Sequence, residues 1–374
     1  MSNRFLELAV PGIRGLKPYQ PGKPIAELER EYGVSDIVKL ASNENPLGPG
    51  PRALEAIAAA AAELARYPDA NGFELKAALA RRHGVAPECI TLGNGSNDVL
   101  VLLAESFLAP EREAIYSQFA FAVYPLAVQA TGAVHRVADA LPADHASQPL
   151  GHDLESMAAL VGPSTRLVFI ANPNNPTGTW LDAKPLEDFI GSLPQQVIAV
   201  IDEAYFEYVG EPGYPDTCRW LERYPNLVVT RTFSKAFGLA GLRIGYCVSD
   251  PHIADLLNRV RQPFNTNSLA QAAALAALDD EAHLAHSVEL NAHELQRVTA
   301  GCRALGLGVV PSVGNFVLVH TGRDAWPLFE ALLREAVIVR PVANYGLPEH
   351  LRISIGTRGE NDRLLAALGK VLGP

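Results

Sequence analysis

The chain has 374 residues, 48% apolar and 19% charged, with a net charge of −10 and four cysteines. That length suits two domains of ordinary globular composition. The acidic balance without a basic run argues against nucleic-acid or membrane-surface binding, and no apolar run is long enough for a membrane span. Cys89, Cys218, Cys247 and Cys302 are scattered rather than paired at metal-ligand or redox spacing, so a reducing cytoplasm is expected and no metal site is predicted. The start, "MSNRFLELAVPGIRGLKPYQ", carries charges throughout and lacks the apolar core of a signal peptide.

In chain order, residues 1–45 are rich in Pro and Gly and are predicted as an arm lying on another surface. Residues 51–67 and 72–84 have helical patterns, the second stopping at Gly84. Short apolar runs then alternate with helical ones: "CITLGNG", "EAIYS", "RLVFIAN", "QVIAVIDEAY", "NLVVTRTF" and "IGYCVS". Each has strand length, and several are apolar at successive positions, as in strands buried on both faces of a mostly parallel sheet covered by helices. After about 265 comes one long helical tract ending at Gly306, then strand-like "GVVPSVGNFVLVHT", "VIVRPV" and "HLRISIGT" around the helix "DAWPLFEALLREA". The predicted organisation is a large domain over 46–265 and a smaller α/β domain over 266–374, to which the arm 1–45 contributes.

Ligands of open parallel sheets bind outside the carboxyl ends of the strands. After "CITL" comes "GNGSND", a glycine turn opening a helix, where free N–H groups suit a phosphate. After the next apolar runs come "ANPNNPTG", "DEAY" and "RTFSK". Asn, Asp, Ser and Lys thus fall on one rim. Lys235 sits among Ser234, Ala236, Phe237, Gly238 and Leu239, an apolar setting that favours the neutral amine and so a nucleophile. A neutral amine condenses with an aldehyde to a Schiff base. A phosphate cradle, a carboxylate, hydrogen-bond donors and a lysine are together what pyridoxal 5′-phosphate (PLP) requires.

The combination "NPNNPTG", "DEAY", "SKAFGLAGLRIGY" and "LRISIGT" resembles the fold-type I PLP-dependent aminotransferases over nearly the whole chain. The resemblance implies a large domain with a mostly parallel seven-stranded sheet and a smaller α/β domain. It implies that Lys235 bonds the cofactor aldehyde, Asp202 pairs with the pyridine nitrogen, and Asn175 and Tyr205 donate to the phenolic oxygen. By the same resemblance Phe119 is expected to stack on the ring. Gly95, Ser96 and Asn97 are expected to hold the phosphate with Thr232, Ser234 and Arg243, and Tyr67 to reach the phosphate of the neighbouring subunit of a homodimer. Tyr19, Arg340 and Arg352 are expected to face the substrate. With "KPYQPGKP", "NENPLGP" and "RYPD", the resemblance narrows to members acting on histidinol phosphate with 2-oxoglutarate or glutamate. The rivals are an aromatic-amino-acid aminotransferase, threonine-phosphate decarboxylase and a non-catalytic PLP-binding regulator.

Overall fold

The computed structural model describes residues 4–19 and 21–373; Met1–Asn3 of the predicted arm, Gln20 of "KPYQPGKP" and Pro374 lie outside them. Among the described residues the strands are β1 (Val38–Lys39), β2 (Ile90–Gly93), β3 (Glu113–Ser117), β4 (Val134–Ala138), β5 (Thr165–Ala171), β6 (Ile198–Asp202) and β7 (Leu227–Thr232). They continue with β8 (Gly245–Ser249), β9 (Gly308–Val310), β10 (Phe316–His320), β11 (Val337–Ile338), β12 (Arg340–Val342) and β13 (Leu347–Ser354).

Seven strands form one sheet in the order β2-β8-β7-β6-β5-β3-β4, in which β8 alone runs antiparallel to its neighbours. The continuous apolar runs have a simple cause. Val168, Ile170, Ala199, Ile201, Leu227 and Val229 enter one core, while Leu167, Phe169, Ile198, Val200 and Val228 enter a second on the opposite face. Successive side chains point to opposite sides of a strand, so a sheet covered on both faces needs apolar residues at every position. Six of the strands were legible as such runs. The edge strand β4, "VHRVA", is mostly exposed and has no such run.

A four-stranded antiparallel sheet, β12-β13-β10-β9, builds the smaller unit. Val317, Val319, Leu351 and Ile353 pack into a core with Leu328, Leu332, Leu364 and Leu368 of its helices. The alternate residues of β13, Arg352 and Ser354, therefore belong to the other face. Residues 38–41 join this unit through the parallel pair β1–β11 and through the burial of Val38, Leu40 and Ala41 in its core.

The long helical tract is two helices, Ser268–Leu278 and Glu281–Ala304, separated where Asp280 caps the second by accepting from His283 N–H. Ala270, Ala273, Ala274 and Ala277 of the first pack into a core of the large sheet, whereas Val298 and Cys302 of the second pack into the small one. The tract thus passes from the large core to the small one, with Leu284 of the second helix still packed against the former. The arm contains short helices at Pro11–Arg14 and Ile25–Tyr32. The former lies so close to the helix Val123–Ala130 that a Cβ on Gly12 would stand 2.2 Å from the Gln129 carbonyl oxygen. No helix among the described residues is long and apolar enough to cross a membrane.

Candidate active site

β6 ends on Asp202, β7 on Thr232, and the chain after β7 runs directly into Ser234 and Lys235. The segment after β5 carries Asn175, and the helix Ser96–Phe107 starts on the same rim after β2. These residues line one cavity with Asn97, Phe121, Tyr205 and Arg243. Arg340 and Arg352 line it from the smaller sheet, and Tyr19, Ser42 and Asn43 from the arm.

Asp202 is 4% exposed. Burial pushes its carboxyl above the usual range, but Tyr124 Oη and Thr230 Oγ1, each 3.0 Å away, donate to its two oxygens and favour the ionised form. The Lys235 amine donates to the Ser42 carbonyl at 3.4 Å and lies 5.5 Å from the centre of the Tyr205 ring. Burial, then the charge of Arg352, lower its pKa to about 8, with Glu44 and Asp202 opposing. The amine is thereby available as a nucleophile and proton carrier near neutrality.

The helix Ser96–Phe107 presents its N-terminal end, Ser96 and Asn97, to the cavity beside Thr232, Ser234 and Arg243. Arg243 donates to Ser234 Oγ at 3.4 Å. Gly95 has φ 83°, and a Cβ there would stand 2.4 Å from Arg243 Nη2, so glycine lets the guanidinium close on the helix start. A helix start with a cation beside it suits a phosphate. Across the cavity, Asn43 Nδ2 and Asn175 Nδ2 both donate to Tyr205 Oη, at 2.9 and 3.2 Å. Arg352 donates to Asn175 Oδ1 at 2.6 Å and to the Ala41 carbonyl at 2.7 Å. Arg340 stands opposite Arg352 in the β12–β13 register, and its guanidinium lies 5.9 Å from the Tyr19 ring centre.

Two predicted residues stand elsewhere. Phe119 packs with Leu150, Val310, Leu318, Val342, Tyr345 and Leu347, away from the cavity that Phe121 lines. The two phenylalanines fall two apart in "SQFAF", in a loop whose side-chain direction no periodicity fixes. Tyr67 is 82% exposed, stacked on Phe264 at 4.6 Å between ring centres, and does not line this chain's own cavity. Sequence reasoning also missed Tyr124, the partner of Asp202, because a tyrosine inside an apolar helix pattern reads as core. Away from the cavity, Glu203, Asp216 and Cys218 gather as metal ligands would, but the Arg231 guanidinium already bonds both carboxylates, at 2.7 and 2.6 Å.

The amine, the buried carboxylate, the phosphate cradle and the donors around Tyr205 fit a phosphorylated aldehyde cofactor with a basic ring nitrogen. Residues 35–368 match the family model for aminotransferase class I and II. The chain belongs to this family. Among its relatives, histidinol-phosphate aminotransferase 2 of Methylococcus capsulatus is 58% identical over 98% of this chain and 99% of the relative. The protein of the same name from Pseudomonas aeruginosa is 58% identical over 98% of each chain. The crystal structure of histidinol-phosphate aminotransferase from Sinorhizobium meliloti in complex with pyridoxal-5′-phosphate superposes with a TM-score of 0.88 at 32% identity, covering 97% of both chains.

Proposed function

We propose that this aminotransferase uses PLP to transfer the amino group of L-histidinol phosphate to 2-oxoglutarate, giving imidazole acetol phosphate and glutamate in histidine biosynthesis. The observation that carries the reading is the pairing of Arg340 with Arg352 beside the cavity of Lys235. Both guanidiniums line the cavity, so an anion bound there would meet two cations at once. A guanidinium fork suits phosphate and carboxylate alike, so one clamp serves the phosphorylated donor and the dicarboxylic acceptor in turn. The relatives' names agree with this substrate.

Bound PLP supplies an aldehyde and an electron-withdrawing ring. Lys235 Nζ would hold the cofactor in the resting enzyme and, as the free amine, would take the proton from the donor's α-carbon and deliver it to the former aldehyde carbon, with the opposite transfer serving the keto acceptor. Asp202, its two oxygens held by Tyr124 and Thr230, would face the ring nitrogen and favour its protonated form. Asn175 and Tyr205 would serve the phenolic oxygen, and Phe121, which lines the cavity where Phe119 does not, would cover the ring. Ser96, Asn97, Thr232, Ser234 and Arg243 hold the phosphate, with Gly95 giving them room. Tyr19 faces the substrate. The working unit is a cytoplasmic homodimer in which Tyr67 completes the partner's phosphate site. Its position outside this chain's own cavity, in a region with Leu64, Phe73 and Phe264 also exposed, supports that reading.

An amino-transfer assay across donors tests the proposal. Histidinol phosphate is expected to exceed histidinol by about a thousandfold or more in kcat/KM, because removing the phosphate leaves the clamp poorly paired. Phenylalanine matching histidinol phosphate would move the enzyme to the aromatic aminotransferases. Carbon dioxide release from threonine phosphate would make it a lyase, and PLP binding without turnover of any donor a regulator.

A further inference from the structure

Asn43 has no place in the roles above, yet it is 1% exposed, holds the left-handed backbone conformation (φ 54°) and joins the two sheets. Its own N–H donates to Ser354 Oγ at 2.7 Å, and Ser354 Oγ–H donates back to Asn43 Oδ1 at 2.8 Å. Asn315 Nδ2 donates to its carbonyl at 3.0 Å. The hydroxyl of Ser354 has a single hydrogen, and because its oxygen receives the backbone N–H, that hydrogen goes to Oδ1. The amide nitrogen of Asn43 is thereby turned toward Tyr205, 2.9 Å from Oη. Asn175 is set in the same way, since Arg352 occupies its oxygen and leaves its nitrogen for Tyr205. A phenol oxygen has room for about two incoming donors. Both places on Tyr205 are filled by N–H groups, and among the described residues no protein acceptor takes the Tyr205 hydrogen.

We infer that Asn43, oriented by Ser354, is a positioning residue that commits the Tyr205 hydroxyl to donating into the cavity. The inference rests on the PLP reading of the site and adds the device that fixes the direction of one donor in it. Without Asn43, the hydroxyl is free to rotate and to donate elsewhere. The small sheet thereby sets Tyr205 of the large one, since Arg352 and Ser354 lie two apart on one face of β13 and each orients one of the two amides.

The test is a pH titration of the visible absorbance of the PLP-loaded protein. A hydrogen directed at the cofactor's phenolic oxygen favours the deprotonated chromophore, so losing it raises the midpoint. Asn43→Gly removes the side chain while tolerating the left-handed backbone, and is expected to raise the midpoint by about half a unit to one unit. Ser354→Ala should move it the same way by less. The charged and titratable groups around Tyr205 also bear on the midpoint: Arg352 from β13, Asp202 from β6, Lys235 after β7, Tyr345 before β13, and Tyr208 and Tyr124. Repeating Asn43→Gly in a Tyr205→Phe background cancels their contributions, and there the shift should fall below about 0.2 units. An equal shift in both backgrounds, or none in either, overturns the inference. Ser354→Ala carries the same comparison if Asn43→Gly does not fold. A wild-type protein that forms no visible band with PLP overturns the functional reading along with it, whereas a normal band with an immovable midpoint overturns this inference alone.

Discussion

An amine attacks only without its proton, so what Lys235 can do depends on where it titrates. Burial and the nearby Arg352 place it near pH 8. Roughly a quarter of it is then neutral at pH 7.5, against about one part in a thousand for a solvated lysine. Covalent capture of PLP by the apo-protein, followed in a stopped-flow spectrometer, should therefore accelerate about fifteenfold between pH 6.5 and 8 and level off above pH 9. A rate that keeps climbing through pH 10 would show that the amine is not tuned. Lys235→Ala should lose the visible band and at least about a thousandfold of the transamination rate, because the cofactor linkage and the proton carrier go together. Lys235 and Asp202 were legible in the sequence because their chemistry conflicts with their apolar surroundings. Asn43 and Tyr124 were not. Each acts through a hydrogen bond to a residue far along the chain, Tyr205 and Asp202 respectively, and nothing local marks such a pair.

The proposed phosphate site belongs to an element, the start of the helix Ser96–Phe107, and depends on one turn. Gly95→Ala would require a non-glycine residue at φ 83° and put a Cβ 2.4 Å from Arg243 Nη2. The backbone conformation alone costs about 1–3 kcal/mol, and the guanidinium must also move off the helix start. PLP affinity, measured by equilibrium dialysis, should fall at least about tenfold, with Arg243→Ala weakening it in the same direction. Unchanged affinity in Gly95→Ala would remove this helix start from the cofactor site. The turn "GNGSND" was readable because a glycine before a helix leaves a local trace. So were the six strands whose runs feed two cores. The edge strand β4 escaped because a strand exposed at four of its five positions has no apolar run, and the break at Asp279 and Asp280 escaped because the helical pattern continues on both sides of it. The side chains of "SQFAF" were assigned by analogy, and their directions are set by packing between the sheets: Phe119 toward Leu318 and Val342, Phe121 toward the cavity.

For the whole molecule, the decisive feature is Tyr67. A tyrosine 82% exposed, stacked on Phe264 that is itself 41% exposed, has no task within its own chain that would keep it dry. If it completes the phosphate site of a second copy, each active site takes Lys235 from one protomer and Tyr67 from the other. Two disabled chains should then rescue one another. Lys235→Ala lacks the amine but still lends its Tyr67. A Tyr67→Ala chain, assayed at a PLP concentration too low to load it, keeps its amine but lacks the phenol across the interface. In a mixed dimer, the site built on the lysine of the Tyr67→Ala chain receives an intact Tyr67, whereas the other site lacks both groups. Random reassortment of equal amounts makes about half the dimers mixed, with one whole site in two, so activity should return to about a quarter of the wild-type value per protomer. Neither variant alone should show it, and separate affinity tags on the two chains would confirm that mixed dimers carry the recovered activity. Mixed dimers that form and stay inactive would place Tyr67 outside the partner's site and leave its exposure to be explained by dimer packing alone.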